Sequence, residues 1–295
     1  MKLLQECIER EPQCAADRWQ EFLAPGFAQQ RANGLLHQMG CAAGDRLVIM
    51  SFAQMNANPQ SGQTNAPEEF DYAEAARLLN EASAEASLDK RIELISAYFM
   101  GRPYIDAPLG GGTGLPEVFR VSLEAFDCVT YIETVLAFAL AVTPDEFVET
   151  IRHIRYEEGR IDWVHRNHYM IDWARRNEAR GFIANITTGA DTLEKTCELK
   201  LIAGLPETRP TFRYFPKQSL PVVEAIAATG DLLLFVSAKD TLDVFHTGLL
   251  IKLGSSLLLR HATRTAGAVI EQPLIEFVNN NKMAGLILLR PLCPR

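Results

Sequence analysis

"FHTGLLIKLGSSLLLRHAT", residues 245–263, sets two apolar runs on either side of Gly254-Ser255. Short apolar runs bounded by turn residues read as strands, and a two-residue turn between them predicts an antiparallel hairpin. "GDLLLFVS" (230–237) before it and "GLILLRPL" (285–292) after it read the same way, so the last third of the chain is expected to form an antiparallel sheet. The hairpin also carries two histidines. Counted from the turn, His246 and His261 fall nearly, though not fully, opposite each other at the same end, close enough to touch.

Upstream of the sheet the pattern changes. Residues 182–215 are less periodic, and Thr187, Thr188 and Thr211 point to short strands or loops. In "TPDEFVETIRHIRYEEGRIDWVHRNHYMIDWARRN" (143–177), Thr143 or Pro144 opens a helix and Gly159 closes it. "EAFDCVTYIETVLAFALA" (124–141) places Cys128 ahead of an almost wholly apolar helix. Two further helices are expected between residues 71 and 101, with Asp89 as a cap of the second and Gly101 with Pro103 as its stop. Helices followed by a sheet give an α+β fold rather than a doubly wound one. The loop "RPYIDAPLGGGTGLPE" has three consecutive glycines but no Gly-Lys-Ser/Thr, so it is not a phosphate loop; close backbone approach or flexibility accounts for it. "NANPQSGQTNAPEEF" (56–70) has the composition of a flexible connection and marks a domain boundary, with residues 1–69 as an N-terminal extension and linker and 70–295 as the main domain. Within the extension, a helix from Asp17 to Met39 and a strand at 45–52 are expected.

Composition excludes several classes of function. The net charge of −8, with basic residues scattered among acids, argues against a nucleic-acid partner. No apolar run reaches the length of a membrane span, and Glu6 and Glu9 interrupt the N-terminus before a signal-peptide core forms. No membrane partner and no classical signal are therefore expected. The six cysteines form no CxxC pair and read as free thiols, five of them as apolar fillers or surface residues.

Cys128 is the exception. At the first turn of a helix it feels the positive end of the macrodipole, which favours the thiolate, although a buried structural cysteine is the plainer alternative. His246 and His261 supply the company a nucleophile needs, one imidazole taking the thiol proton and the other orienting it. The competing use of histidines is metal binding. His165 and His168 are spaced i, i+3 with Asp162 and Asp172 nearby, but no further ligand set follows, and a buried, hydrogen-bonded His168 is the better reading. No metal or other cofactor is expected.

In order along the chain, "GRPYIDAPLGGG", "FDCVTYIETVLAFALA", "RNHYMIDWARRNEARGFIANIT", "GDLLLFVSAKDTLDVFHTGLLIK", "LLLRHAT" and "GLILLRP" resemble the N-acetylmuramoyl-L-alanine amidase-like family also known as DUF1460, which is grouped with the NlpC/P60 papain-like cysteine hydrolases. The resemblance runs from about residue 90 to the C-terminus. It implies a papain-like core with the nucleophile helix on an antiparallel sheet, Cys128 as nucleophile, His246 as general base and His261 as the orienting third member. It further implies Tyr104, in a Gly-x-Pro-Tyr motif, as a site-lining residue that helps hold the oxyanion, and Asp127 as a substrate-orienting one. Two motifs depart from the usual pattern, with Thr247 after His246 and Thr263 where relatives carry Ser, and neither change removes a catalytic atom. The long stretch between Cys128 and His246 implies an insertion carrying "RNHYMIDW", whose His168, Tyr169 and Trp173 either contact substrate or pack as aromatics.

The implied substrate is peptidoglycan or a muramyl peptide, cut between the lactyl group and L-alanine. Cleavage of the γ-D-glutamyl bond, acyl transfer from the same thioester, and a binding module that has lost activity are the alternatives. Export machinery, an inhibitor protein and the compartment stay open, because no residue chooses between periplasmic export, work on recycled fragments in the cytoplasm and signal-independent delivery.

Overall fold

A computed structural model describes residues 70–254 and 256–293. The N-terminal extension, with its expected helix at 17–39 and strand at 45–52, and all but the last residue of the 56–70 connection lie outside them.

Asp71 starts the first helix, α1 (Tyr72–Ser83), by accepting from the N–H groups of Ala73 and Glu74. Helix α2 (Leu88–Tyr98) has Ser87 as its N-cap, and Asp89, expected in that role, lies inside the first turn. The backbone turns left-handed at Gly101, which with Pro103 stops α2 as the sequence predicts. Helix α3 (Cys128–Leu140) is apolar on almost every face and correspondingly buried, as a helix surrounded by partners must be. It packs on α2 and on α4 (Pro144–Arg155), which Thr143 caps and Pro144 opens. Helix α4 ends at Arg155, and Gly159, expected as its stop, belongs to the separate turn that follows. Helix α5 (Met170–Ala179) has a tyrosine at its N-cap with no side-chain bond to give; Asp243, distant in sequence, instead accepts from the Ile171 N–H at 2.9 Å.

Strands β1 (Ile183–Asn185), β2 (Leu193–Thr196), β3 (Thr211–Pro216), β4 (Leu232–Val236), β5 (Val244–Leu253), β6 (Ser256–Thr263), β7 (Ala268–Pro273) and β8 (Gly285–Pro291) form one antiparallel sheet in the order β2-β3-β8-β4-β5-β6-β7, with β1 also on β8. The β5–β6 hairpin has the predicted register, running from Leu253 opposite Ser256 to Leu249 opposite Arg260. β7 is an addition to the expected sheet, and β1–β3 join it as well.

Alternation along the strands divides the core in two. Leu232, Leu234 and Val236 face α1–α5, while Leu233 and Phe235 face α6 (Leu220–Ile226) and α7 (Leu274–Asn280). The architecture is α+β, with helices on both sheet faces.

Two buried cations fasten the helices. Arg155 Nε donates to Glu133 at 2.8 Å and the Trp173 indole N–H donates to the same carboxylate at 3.2 Å, tying α4 and α5 to α3. Arg260 on β6 is paired with Glu271 at 2.6 Å and reaches Ser96 Oγ of α2 at 2.7 Å. Among the described residues, no helix is long and apolar enough to cross a membrane.

Candidate active site

The start of α3 is built by Asp127. Its Oδ1 accepts from the N–H groups of Val129 (3.0 Å) and Thr130 (2.8 Å), and its own N–H donates to Thr130 Oγ1 (3.0 Å), completing a capping box. Asp127 thus has a structural occupation at the place where the sequence suggests a substrate-orienting one. Cys128 is the first helical residue and is 3% exposed. The N–H groups of Thr247, Cys128 and Val129 favour its thiolate, as expected at a helix start, but burial and the neighbouring Asp127 charge outweigh them and push the thiol up. Burial and charge thus oppose the thiolate that the helix start favours.

Near Thr247 the sheet opens. The β5–β6 ladder ends at the Leu249–Arg260 pair, after which β5 continues alongside β4 and β6 alongside β7. The Thr247 N–H aimed at Cys128 belongs to this opening, and His246 is the next residue along the strand. Gly248 is required here by close approach: a Cβ on it would lie 2.7 Å from Leu259 Cδ1, 2.9 Å from His261 Cβ and 3.0 Å from the Arg260 carbonyl oxygen.

The structure brings His246 and His261 together, with Nε2 of His246 at 2.5 Å from Nδ1 of His261. His246 is half-buried between the rings of Phe235 (5.9 Å between centroids) and Phe277 (5.2 Å), and His261 is fully buried against Phe277. Burial holds His246 well below the usual imidazole range, with His261 adding to the effect, and brings His261 down to about 4. Both rings are thus neutral at neutral pH. The far nitrogen of His261 meets Gln272 of β7 at 2.8 Å, a contact with no sequence signal beyond the register that the Gly267 turn would give to β6 and β7. Among the described residues, no hydrogen bond joins the Cys128 sulfur to either imidazole, and Nδ1 of His246 has no partner.

Tyr104 closes the site from a third direction. Its N–H donates to the Gly267 carbonyl (2.8 Å), and Ile105 and Phe126 link their segments through Ile105 N–H to Phe126 O (3.0 Å) and Phe126 N–H to Pro103 O (3.0 Å). The Gly-x-Pro-Tyr segment is thereby held between the β6–β7 turn and the approach to Cys128. Burial raises the Tyr104 phenol, the Cys128 and Asp127 charges act in the same direction, and Arg264 opposes them. Arg264 itself is bound to Asp106 at 2.6 Å.

The residues of the "RNHYMIDW" stretch divide. Trp173 is fully buried, so its indole packs in the core and offers a substrate no surface. Tyr169 is nearly as buried and accepts from the Leu201 N–H at 3.2 Å. His168 is half-buried, donates from Nε2 to the Trp163 carbonyl at 2.7 Å, lies edge-on to the Trp163 ring and is lowered to about 4 by burial. Trp163, which the sequence reading passed over, also lies under the Arg166 guanidinium at 4.5 Å. His165 occupies a short 3₁₀ turn that ends before His168, so the two do not share a helical face as the cation reading supposed. In the glycine loop the close-approach reading applies at Gly111, where a Cβ would be 2.8 Å from Glu117 Oε2.

A protein from Legionella pneumophila str. Philadelphia 1 assigned to DUF1460 is 23% identical over 75% of this chain and 96% of its own, with a TM-score of 0.67, a likeness of fold. An N-acetylmuramoyl-L-alanine amidase from Bacteroides uniformis is 25% identical over 69% of this chain and 98% of its own, with a TM-score of 0.63. No curated protein matches. The AmiA-like family, described as N-acetylmuramoyl-L-alanine amidase-like, matches residues 94–286, more than half of the chain, and the protein belongs to this family.

Proposed function

We propose that this protein is a cysteine-dependent amide hydrolase of bacterial cell-wall peptides that cuts the bond between N-acetylmuramic acid and L-alanine. The supporting observation is that the Thr247 N–H, which favours the helix-start thiolate, is next along the strand from His246 with its hydrogen bond to His261, in a chain of the amidase-like family. The same arrangement favours an NlpC/P60-type papain-like core within residues 70–295, with 1–69 as an appended segment.

In this mechanism the Cys128 thiol gives its proton to Nδ1 of His246, the ring nitrogen without a partner, as the sulfur attacks the amide carbonyl carbon. The oxyanion needs donors already in place. Asp127 occupies the N–H groups of Val129 and Thr130, so the Cys128 N–H is the helix-start donor left to face it, with the Tyr104 hydroxyl as a second. The carbon–nitrogen bond breaks as protonated His246 returns the proton to the leaving amine. Water, deprotonated by the same imidazole, then hydrolyses the thioester and restores the thiol. Because burial opposes both the thiolate and the imidazolium, the proton transfer accompanies the attack.

Mass spectrometry of products from purified sacculi and soluble muramyl peptides tests the proposal. The expected result is release of stem peptides with a free L-alanine N-terminus, lowered by about 10³-fold or more in Cys128→Ala. Full activity in that variant would refute the cysteine mechanism, and cleavage after D-glutamate would move the assignment to the γ-D-glutamyl bond.

A further inference from the structure

We propose that Gln272 is a positioning residue that decides, through His261, which nitrogen of His246 carries the proton; the proposal rests on the reading of His246 as the base for Cys128. The three side chains form one file, His246 Nε2 to His261 Nδ1 at 2.5 Å and His261 Nε2 to the Gln272 amide at 2.8 Å. A neutral imidazole has one N–H and one lone pair, so each contact needs a donor and an acceptor and the whole file runs in one direction.

With the amide nitrogen towards His261, as it stands here, Gln272 donates to Nε2 of His261 and Nδ1–H of His261 donates to His246. The His246 proton is then left on Nδ1, which cannot accept from a thiol. A half-turn of the amide presents its oxygen instead. His261 then donates from Nε2 to Gln272, His246 donates from Nε2 to His261, and Nδ1 of His246 is a free lone pair. The reversal balances: one proton leaves Nδ1 of His246 to solvent, one passes from Nδ1 of His261 to Nε2 of His246, and one arrives from solvent at Nε2 of His261. The surroundings leave the amide torsion as the variable part. Gln272 is paired across β6–β7 with Leu259, its neighbour Glu271 is held by Arg260, and Pro273 follows.

The test replaces residue 272 with a group of fixed polarity and reads the tautomer directly. In ¹⁵N-histidine-labelled full-length protein at pH 8, Gln272→Glu, which only accepts, is expected to put the His246 proton on Nε2. Gln272→Lys, which only donates, is expected to put it on Nδ1, and Gln272→Met to give a mixture. Alkylation of Cys128 by iodoacetamide should be about tenfold or more faster in the Glu than in the Lys variant. If the Lys variant does not fold, the Glu and Met spectra decide. Identical His246 tautomers in every folded variant would overturn the proposal. The amidase reading is separated by hydrolysis itself: cleavage that needs Cys128 with a tautomer indifferent to residue 272 sinks the relay alone. A tautomer that follows residue 272 in a protein that cleaves nothing supports the relay and sinks the amidase reading.

Discussion

At Cys128 the N–H groups of the helix start and of Thr247 pull towards the thiolate, while burial and the Asp127 charge pull towards the thiol and win. Asp127 enters twice, as helix cap and as repelling charge, and the two roles can be separated. Asp127→Asn keeps an acceptor for the cap and removes the charge, so the pH–rate profile of Cys128 alkylation is expected to shift to lower pH while thermal stability changes little. An unmoved profile would show that the charge does not govern the sulfur. The candidate residues Cys128, His246 and His261 were legible in the sequence because each sits beside a readable boundary, a helix start or a counted turn. The charge state of the thiol was not, since it depends on how completely the fold buries the group. Gln272 was missed because a single glutamine on a strand has no pattern of its own.

The β5–β6 hairpin makes Gly248 as demanding a position as the histidines. A methyl there would meet Leu259 Cδ1 at 2.7 Å, a side-chain end that can yield, but also His261 Cβ at 2.9 Å and a backbone oxygen at 3.0 Å, which cannot. Gly248→Ala is expected to cost about 1–3 kcal/mol, seen as a lower urea midpoint, and to break the His246–His261 hydrogen bond, seen in the histidine ¹⁵N shifts. At this scale the sequence was readable where apolar runs were long. β4, β5, β6 and β8 announced themselves, but β7, "AVIEQP", ends in Glu, Gln and Pro, since it lies at the sheet edge and its last four residues are only partly buried or exposed. β1 and β2 are only three and four residues long, and β3 meets β8 only at Phe215 and Pro216, so none of them gives a long apolar run. The N-cap of α2 was misplaced because Ser87 and Asp89 both carry capping chemistry, and only the backbone turn separates them.

The whole molecule is held by charges that the core has taken in. Glu133→Ala would strand Arg155 and remove the Trp173 acceptor, and about 3–5 kcal/mol of stability should be lost, a fall in melting temperature of roughly 10 °C. The double change Glu133→Leu with Arg155→Met should recover most of it, which thermal unfolding will show. Acid should also loosen the fold. His168 and His261 are held near 4 against about 6.5 when unfolded, so the stability of their neutral forms is complete above pH 6.5 and is lost as the pH falls towards 4, about 3 kcal/mol for each. Asp243, raised to about 6 by burial, acts in the opposite sense, since its protonation favours the folded state as pH falls through 6 towards its unfolded value. A loss of stability between pH 7 and pH 4 is expected in urea titrations, and His168→Gln should make it smaller. Finally, β8 lies between β3 and β4 although it follows every other strand in the chain. A ribosome must therefore deliver residues 285–291 before β1, β2 and β3 can join the sheet, whereas the hairpin that carries His246 and His261 is already complete without them.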